Sequence, residues 1–370
     1  MRQGPSSEVL AGAAGWVPTG ASWLDGDLLA PEIPILSGRL SAASRLRVPE
    51  RVTFTVPEAS TVDGRWFSWV PGDDPRHPLA RFGQQVDLGI EVVSALTGTI
   101  THTRLGRFRV HEWSHDDVAR TVSVTGHGLL IRAEEARFRV PQVPRAGGTL
   151  ASEFRRLMVP GVPVYIDPAL VDRACPRSFQ WQQDRLAALY EIADAWPARL
   201  RTDQWGQAQL LPPLPAVPVP VLHLTDGHGG TVVSAPRTDT REGLDNVVVG
   251  TSSATDTTAL DPIRAVAEVR TGPTRVTTDG TGYGESVRYW SSPLVTTQGQ
   301  LQASVNTILA DASRPAVVRT VQCAPDPRIE LDDALAITRN EIPDWGWVVA
   351  YELPLTIRDG AMRIDVAVAS

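Results

Sequence analysis

Lysine is missing from the 370 residues. All 35 basic side chains are arginine, set against 42 Asp and Glu, and the net charge is -7. That balance excludes a nucleic-acid coat, because duplex binding rests on a basic face. Arginine-only usage reads as a coding bias of the genome. It also supplies planar forks for bidentate carboxylate contacts at subunit interfaces, where Lys is a point charge. Cysteine is scarce too. Cys175 and Cys323 lie far apart, with no Cys-x-x-Cys pair and no Cys/His ligand spacing, which excludes a disulfide framework and a zinc finger. No apolar run approaches the ~20 residues of a membrane-spanning helix. Residues 9–17 are mildly apolar but rich in Gly and Ala, with only Arg2 before them, so export by a signal peptide is not expected. Composition is otherwise ordinary, 42% hydrophobic and 21% charged. The length allows two or three domains with separate cores.

What is present is a pattern that occurs twice. Val86-Asp87-Leu88-Gly89-Ile90-Glu91-Val92 stands in the first half and Leu331-Asp332-Asp333-Ala334-Leu335-Ala336-Ile337 near the end. In each, an apolar residue and Asp lead into an alternating strand. A Gly-led strand follows (Gly106-Arg107-Phe108-Arg109-Val110, and Gly346-Trp347-Val348-Val349), then one more alternating strand. A doubled β unit predicts a ring-building part rather than a one-site enzyme; chance likeness among β-rich segments is the competing reading.

Along the chain, 1–30 is rich in Gly, Ala and Pro and predicts an extended arm. Residues 51–56 alternate strictly, with Val52, Phe54 and Val56 on one face. Residues 59–81 read as a long polar loop, and 107–113 with 118–125 as a hairpin over Ser114-His115-Asp116-Asp117. Thr149 caps a predicted helix with Leu150, Phe154, Leu157 and Met158 on one stripe. A second helix, about 182–196, is stopped by Pro197. Residues 198–211 predict a hairpin at Gln204-Trp205-Gly206, and 212–220 a proline-rich connector, with a PxxP ligand as the lesser reading. Residues 251–296, long on Thr, Ser, Asp and Gly, predict an irregular excursion. A helix with Leu301, Val305, Ile308, Leu309 and Ala312 in register follows. Met362, Ile364, Val366 and Val368 then alternate in the last strand.

Chemistry is sparse. His111-Glu112-Trp113-Ser114-His115 matches HExxH, whose histidines bind zinc from one helix face while the Glu acts as base. His111 and His115 are therefore the leading metal candidates, with Glu134 or Glu135 as an imaginable third ligand. The strand alternation of Phe108 and Val110 speaks against a helix there. His127 and His228 sit in Gly-rich turns, and no phosphate loop or GxSxG elbow occurs. The pairs Glu134-Glu135, Asp332-Asp333 and Asp73-Asp74 read as solvated faces. Trp66, Trp69, Trp345 and Trp347 are interface anchors or core, and Trp66, Trp69 and Trp290 would suit a glycan-binding receptor protein. No catalytic residue and no cofactor is expected.

The ordered set of segments resembles the tail-hub (minor tail, or baseplate hub) proteins of long-tailed phages, particularly those infecting actinobacteria. The resemblance is carried by Ile33-Pro34-Ile35-Leu36-Ser37-Gly38; Leu79-Ala80-Arg81-Phe82-Gly83-Gln84-Gln85-Val86; Leu105-Gly106-Arg107-Phe108-Arg109-Val110; Val124-Thr125-Gly126 leading to Ala136-Arg137-Phe138-Arg139-Val140-Pro141; Thr240-Arg241-Glu242-Gly243-Leu244-Asp245-Asn246-Val247; Tyr289-Trp290-Ser291-Ser292-Pro293-Leu294; and Pro325-Asp326-Pro327-Arg328-Ile329-Glu330-Leu331-Asp332-Asp333. The family often has Gly where this chain has Leu331, which puts the local bend in question.

The resemblance implies a mainly β fold in which two tube-like β-barrel domains flank a small α+β domain. The expected boundaries are 1–140, 141–236 with the Pro-rich connector, and 237–370 with the excursion 251–296. It implies a structural homotrimer at the tail tip of a virion, assembled in the host cytoplasm. Three chains would form a ring of near six-fold symmetry. Its expected partners are a distal tail ring or tail tube, a fibre or spike, and a tape measure protein. DNA would pass through the lumen, and no stable membrane association is expected.

Overall fold

The computed structural model describes residues 1–12, 14–62, 64–215, 217–239, 241, 243–252, 263–313 and 317–368. Two six-place strand arrays with the same order contain most of its strands. In the first half the order is Ser37–Ala43, Glu50–Pro57, Thr121–Gly128, Ile100–Asp116, Gln85–Ser94, Ala14–Leu24. In the second half, Val232–Ser234 and Arg237–Asp239 share the first place. Val317–Cys323, Met362–Val368, Ile342–Pro354, Ala334–Arg339 and Leu222–Thr225 follow. One difference breaks the match: Ala14–Leu24 runs antiparallel to its neighbour, whereas Leu222–Thr225 runs parallel.

The doubled pattern in the sequence marks these halves, but out of register. The bulges fix the true equivalence. Ile100–Asp116 bulges against Thr121–Gly128 just after Val110, and Ile342–Pro354 bulges against Met362–Val368 just after Val348. Val110 and Val348 are therefore equivalent, two residues away from a match of Gly106 to Gly346.

The halves are fused. Ile342–Pro354 pairs with Ala334–Arg339 over its first six residues. Beyond the bulge at Val349 its last five pair with Ser37–Ala43 of the first half. A bulge sharpens the local twist, which suits a change of partner. The shared strand makes one 14-stranded sheet with an open path, ending at Asp27–Ala30 on one side and Val232–Ser234 on the other. Among the described residues no barrel closes, so the expected separate barrels give way to a continuous sheet. One core runs through both halves, from Leu40, Val52, Phe54 and Ile90 to Leu353, Ile364 and Val366.

A second core is helical. Thr149 caps Leu150–Leu157 with a reciprocal box to Ser152, and Leu150, Phe154 and Leu157 are fully buried. Asp184 caps Arg185–Ala195, which buries Leu186, Leu189, Ile192 and Ala193. Gln298–Ser313 contributes Leu301 and Val305. The hairpin Arg199–Thr202 and Ala208–Leu211 turns at Gly206, whose φ is 79°. This core joins residues 129–210 to 248–305.

Three expectations need correction. The N-terminal arm is structured: Ala14–Leu24 pairs along ten residues of Gln85–Ser94. The loop 59–81 contains the hairpin Ala59–Val62 and Arg65–Ser68, and it buries Trp69, Leu79 and Ala80. The excursion 251–296 holds Arg264–Glu268 and Val287–Ser292, which flank Val247–Ser252 in a three-stranded sheet. Its residues 253–262, with Thr240 and Glu242 of the family-like stretch, lie outside the described residues.

Candidate functional site

The HExxH segment lies on the strand Ile100–Asp116, not on a helix. Residues four apart on a strand are separated by about 13 Å, too far for His111 and His115 to share a zinc ion bound at ~2 Å by each. They face different carboxylates. His111 Nδ1 stands 3.9 Å from Glu135, and His115 Nε2 stands 3.8 Å from Glu58. The His111 ring meets His127 edge-on at 5.1 Å. Burial lowers the pKa of His127, as does the charge of His111. Among the described residues no three His, Cys, Asp or Glu side chains are placed to hold a metal. Burial pushes the Cys175 and Cys323 thiols up to about 12, so both stay protonated.

The most developed polar constellation was not singled out in the sequence. It occupies the junction of both sheet halves with the helical core, around a cavity of about 670 Å³. Arg199 and Arg201 reach from their hairpin to Asp332. Arg201 Nε donates at 2.8 Å, and Arg199 adds a second ion pair to the same carboxylate. Asp332 itself takes the left-handed conformation, with φ 69°. The bend that Leu331 put in question is therefore made one residue later, by an Asp whose short side chain tolerates it. Arg2 is buried beside them. It donates to Tyr351 Oη at 2.8 Å and to the Ile329 carbonyl at 2.7 Å.

Glu50 lines the same cavity and accepts from Thr202 Oγ1 at 3.2 Å. A Cβ at Gly128 would lie 2.5 Å from its carboxylate, so a larger residue there would push the Glu50 side chain aside. Burial pushes the Glu50 carboxyl up to about 7, against the pull of Arg201 and Arg2. Arg107 and Trp205 also line the cavity; behind them Asp87 is gripped by Arg107 (2.6 Å) and Arg104 (2.7 Å), and Arg104 stacks over Trp205 at 4.2 Å. Asp332 and Asp87 are thus each held by two arginines. The arrangement can lock segments together.

The acidic pairs are likewise structural or solvated. Glu134 and Glu135 turn to Arg47 and Arg109, and Asp74 accepts from the Arg76 amide. The tryptophans form no common platform. Trp66 is 75% exposed, Trp69 is buried with its Nε1 on Ser60, and Trp290 packs on the helical core. Trp347 is buried and Trp345 half exposed.

The surfaces left for function are sheet edges. Residues 112–116 pair with Thr121–Gly128 on one side only, because Gln85–Ser94 ends opposite Arg109. A shallow hollow lined by Arg81, His111, Glu112 and Trp113 lies there. Among the described residues Val232–Ser234 and Arg237–Asp239 pair only with Val317–Cys323, and Val233, Arg237 and Thr238 are exposed. The outer strands Arg264–Glu268 and Val287–Ser292 expose Val266 and Tyr289. No sequence signal marks such edges, since pairing partners are not local.

No protein-family model and no curated protein matches the chain. Solved structures do. The tail protein from Neisseria meningitidis MC58 is 12% identical, with a TM-score of 0.64 over 95% of this chain and 96% of that one. The 43 kDa tail protein of prophage MuSo2 from Shewanella oneidensis is 10% identical, with a TM-score of 0.57 over 94% and 98%. Prophage tail protein gp18 from Listeria monocytogenes EGD-e is 12% identical, with a TM-score of 0.55 over 94% and 94%. The chain therefore has, over nearly its whole length, the fold of phage tail proteins.

Proposed function

We propose that the chain is a structural hub protein of a phage tail or tail-like particle. Three copies form a ring in which each contributes two similar β halves. Such a ring offers six similar surfaces to a hexameric tail tube or distal tail ring, and three-fold symmetry to a fibre or spike. The tape measure protein and DNA in transit are its lumenal contacts, and its place is the tail tip. The observation that carries this reading is the repeated six-place strand order. The shared fold of tail proteins supports it. The arginine pairs on Asp332 tie the second half to the hairpin of the helical core, and those on Asp87 brace neighbouring strands of the first half.

Light scattering and negative-stain images of the purified chain test the proposal. A trimer with a central hole is expected. A compact monomer at high protein concentration would overturn the ring, and one bound zinc per chain would return attention to His111 and His115.

A further inference from the structure

The internal junction supplies a template for an external one. After its bulge, Ile342–Pro354 extends five residues beyond its first neighbour and pairs antiparallel with Ser37–Ala43. The equivalent strand, Ile100–Asp116, also runs five residues past its bulge, and there it has no second neighbour among the described residues. The equivalent of Ser37–Ala43 is the strand pair Val232–Ser234 and Arg237–Asp239, whose outer side is likewise unpaired among the described residues. Both complementary edges exist in one chain, and each lacks the partner that its duplicate possesses.

We infer that residues 112–116 of one copy pair antiparallel with Arg237–Asp239 of a second copy. This deepens the ring reading and rests on it. The contact is head-to-tail, and such contacts close into rings when the rotation permits.

The register follows from the internal junction. Val52 and Arg319 are equivalent, because each pairs with the residue (Gly126, Val366) that faces Val110 or Val348. Their partners Leu40 and Arg237 are then equivalent. Leu353 faces Leu40, and His115 stands in the place of Leu353. His115 of one copy therefore faces Arg237 of the next, Ser114 faces Thr238, and Trp113 faces Asp239. The Glu58 carboxylate, 3.8 Å from His115 and paired with Arg120 at 2.8 Å, is the nearest acid for the incoming Arg237 to share. Ser opposite Thr is a favourable cross-strand pair.

Cysteine pairing tests this register. Ser114→Cys with Thr238→Cys in one chain is expected, under mild oxidant, to move the protein to two and three times its monomer mass on a non-reducing gel. Opposed Cβ atoms in such a ladder lie about 4.5–5.5 Å apart. The two native thiols are buried and give no background. Ser41→Cys with Glu352→Cys, the same pair inside the chain, is the control and should close without change of mass. A trimer by light scattering that closes the control but never links 114 to 238 would overturn the inference and leave the ring standing. A chain that stays monomeric and unlinked would overturn both.

Discussion

The two halves of the sheet end their longest strands in opposite ways. In the second half the extension 350–354 lies against Ser37–Ala43, and Leu353 and Leu40 meet there, both fully buried. In the first half the extension 112–116 carries Glu112, Ser114, His115 and Asp116, all exposed. An edge paired within the chain can be apolar. An edge left open must remain soluble and resist unplanned pairing, which polar side chains achieve. The same backbone device therefore carries two compositions, and the difference follows the edge's exposure.

If the halves are one cooperative unit, damage to either should unfold both. Phe54→Ala, at a fully buried site of the first half, is expected to cost about 3–5 kcal/mol. Ile364→Ala in the second half is expected to cost about 2–5 kcal/mol. Calorimetry of each variant should show a single transition for the sheet core; two separated transitions would split the halves.

The arginine forks sharpen the contrast. Asp332→Ala leaves Arg199 and Arg201 facing each other without their acceptor, and about 3 kcal/mol should be lost. Asp87→Ala removes the acceptor of Arg104 and Arg107, which are more open to water, so a smaller loss of about 1–2 kcal/mol is expected in urea unfolding. Equal losses would remove the distinction between the two Asp sites.

Glu50 makes the junction sensitive to pH. Its folded pKa is about 7, above the ordinary carboxyl value of 4.5, so the folded state holds the proton more tightly. The penalty for its charge is absent below pH ~4.5 and fully present above pH ~7. Glu50→Gln should therefore raise the melting temperature at pH 8 and leave it unchanged at pH 4.5. A gain that persists at the lower pH would mean that the charge is not its cause. The smallest effect belongs to Trp66→Ala, whose exposed ring should change stability by no more than about 0.5 kcal/mol. A larger loss would give the hairpin Ala59–Val62 and Arg65–Ser68 a packing role.

Local order was readable from the sequence, and distant order was not. Thr149 and Asp184 announce their helices because a cap and an apolar stripe act within a few residues. Glu50–Pro57 is equally plain, since Val52, Phe54 and Val56 alternate. Ala14–Leu24 gave no such signal: its Gly, Ala, Pro and Ser residues are weak strand formers, and its pairing with Gln85–Ser94 decides its state. Arg264–Glu268 was missed for a related reason, because its buried positions are Ala265 and Ala267. The HExxH match could be set aside from sequence alone, because the motif presumes a helix and Phe108 and Val110 alternate as a strand, which is what forms. The Asp332 junction was invisible because its arginines lie more than a hundred residues away. The doubling could be seen, but its register waited for the bulges.

The shared strand also sets a timetable for the nascent chain. Ser37–Ala43 leaves the ribosome early, and its partner residues 350–354 leave roughly 300 residues later. At ~5–20 residues per second, that edge waits about 15–60 s before its own chain can cover it. Throughout that interval Leu40 lacks Leu353 and is open to any other strand. Productive synthesis of this protein thus depends on keeping one edge vacant until residues 350–354 have emerged.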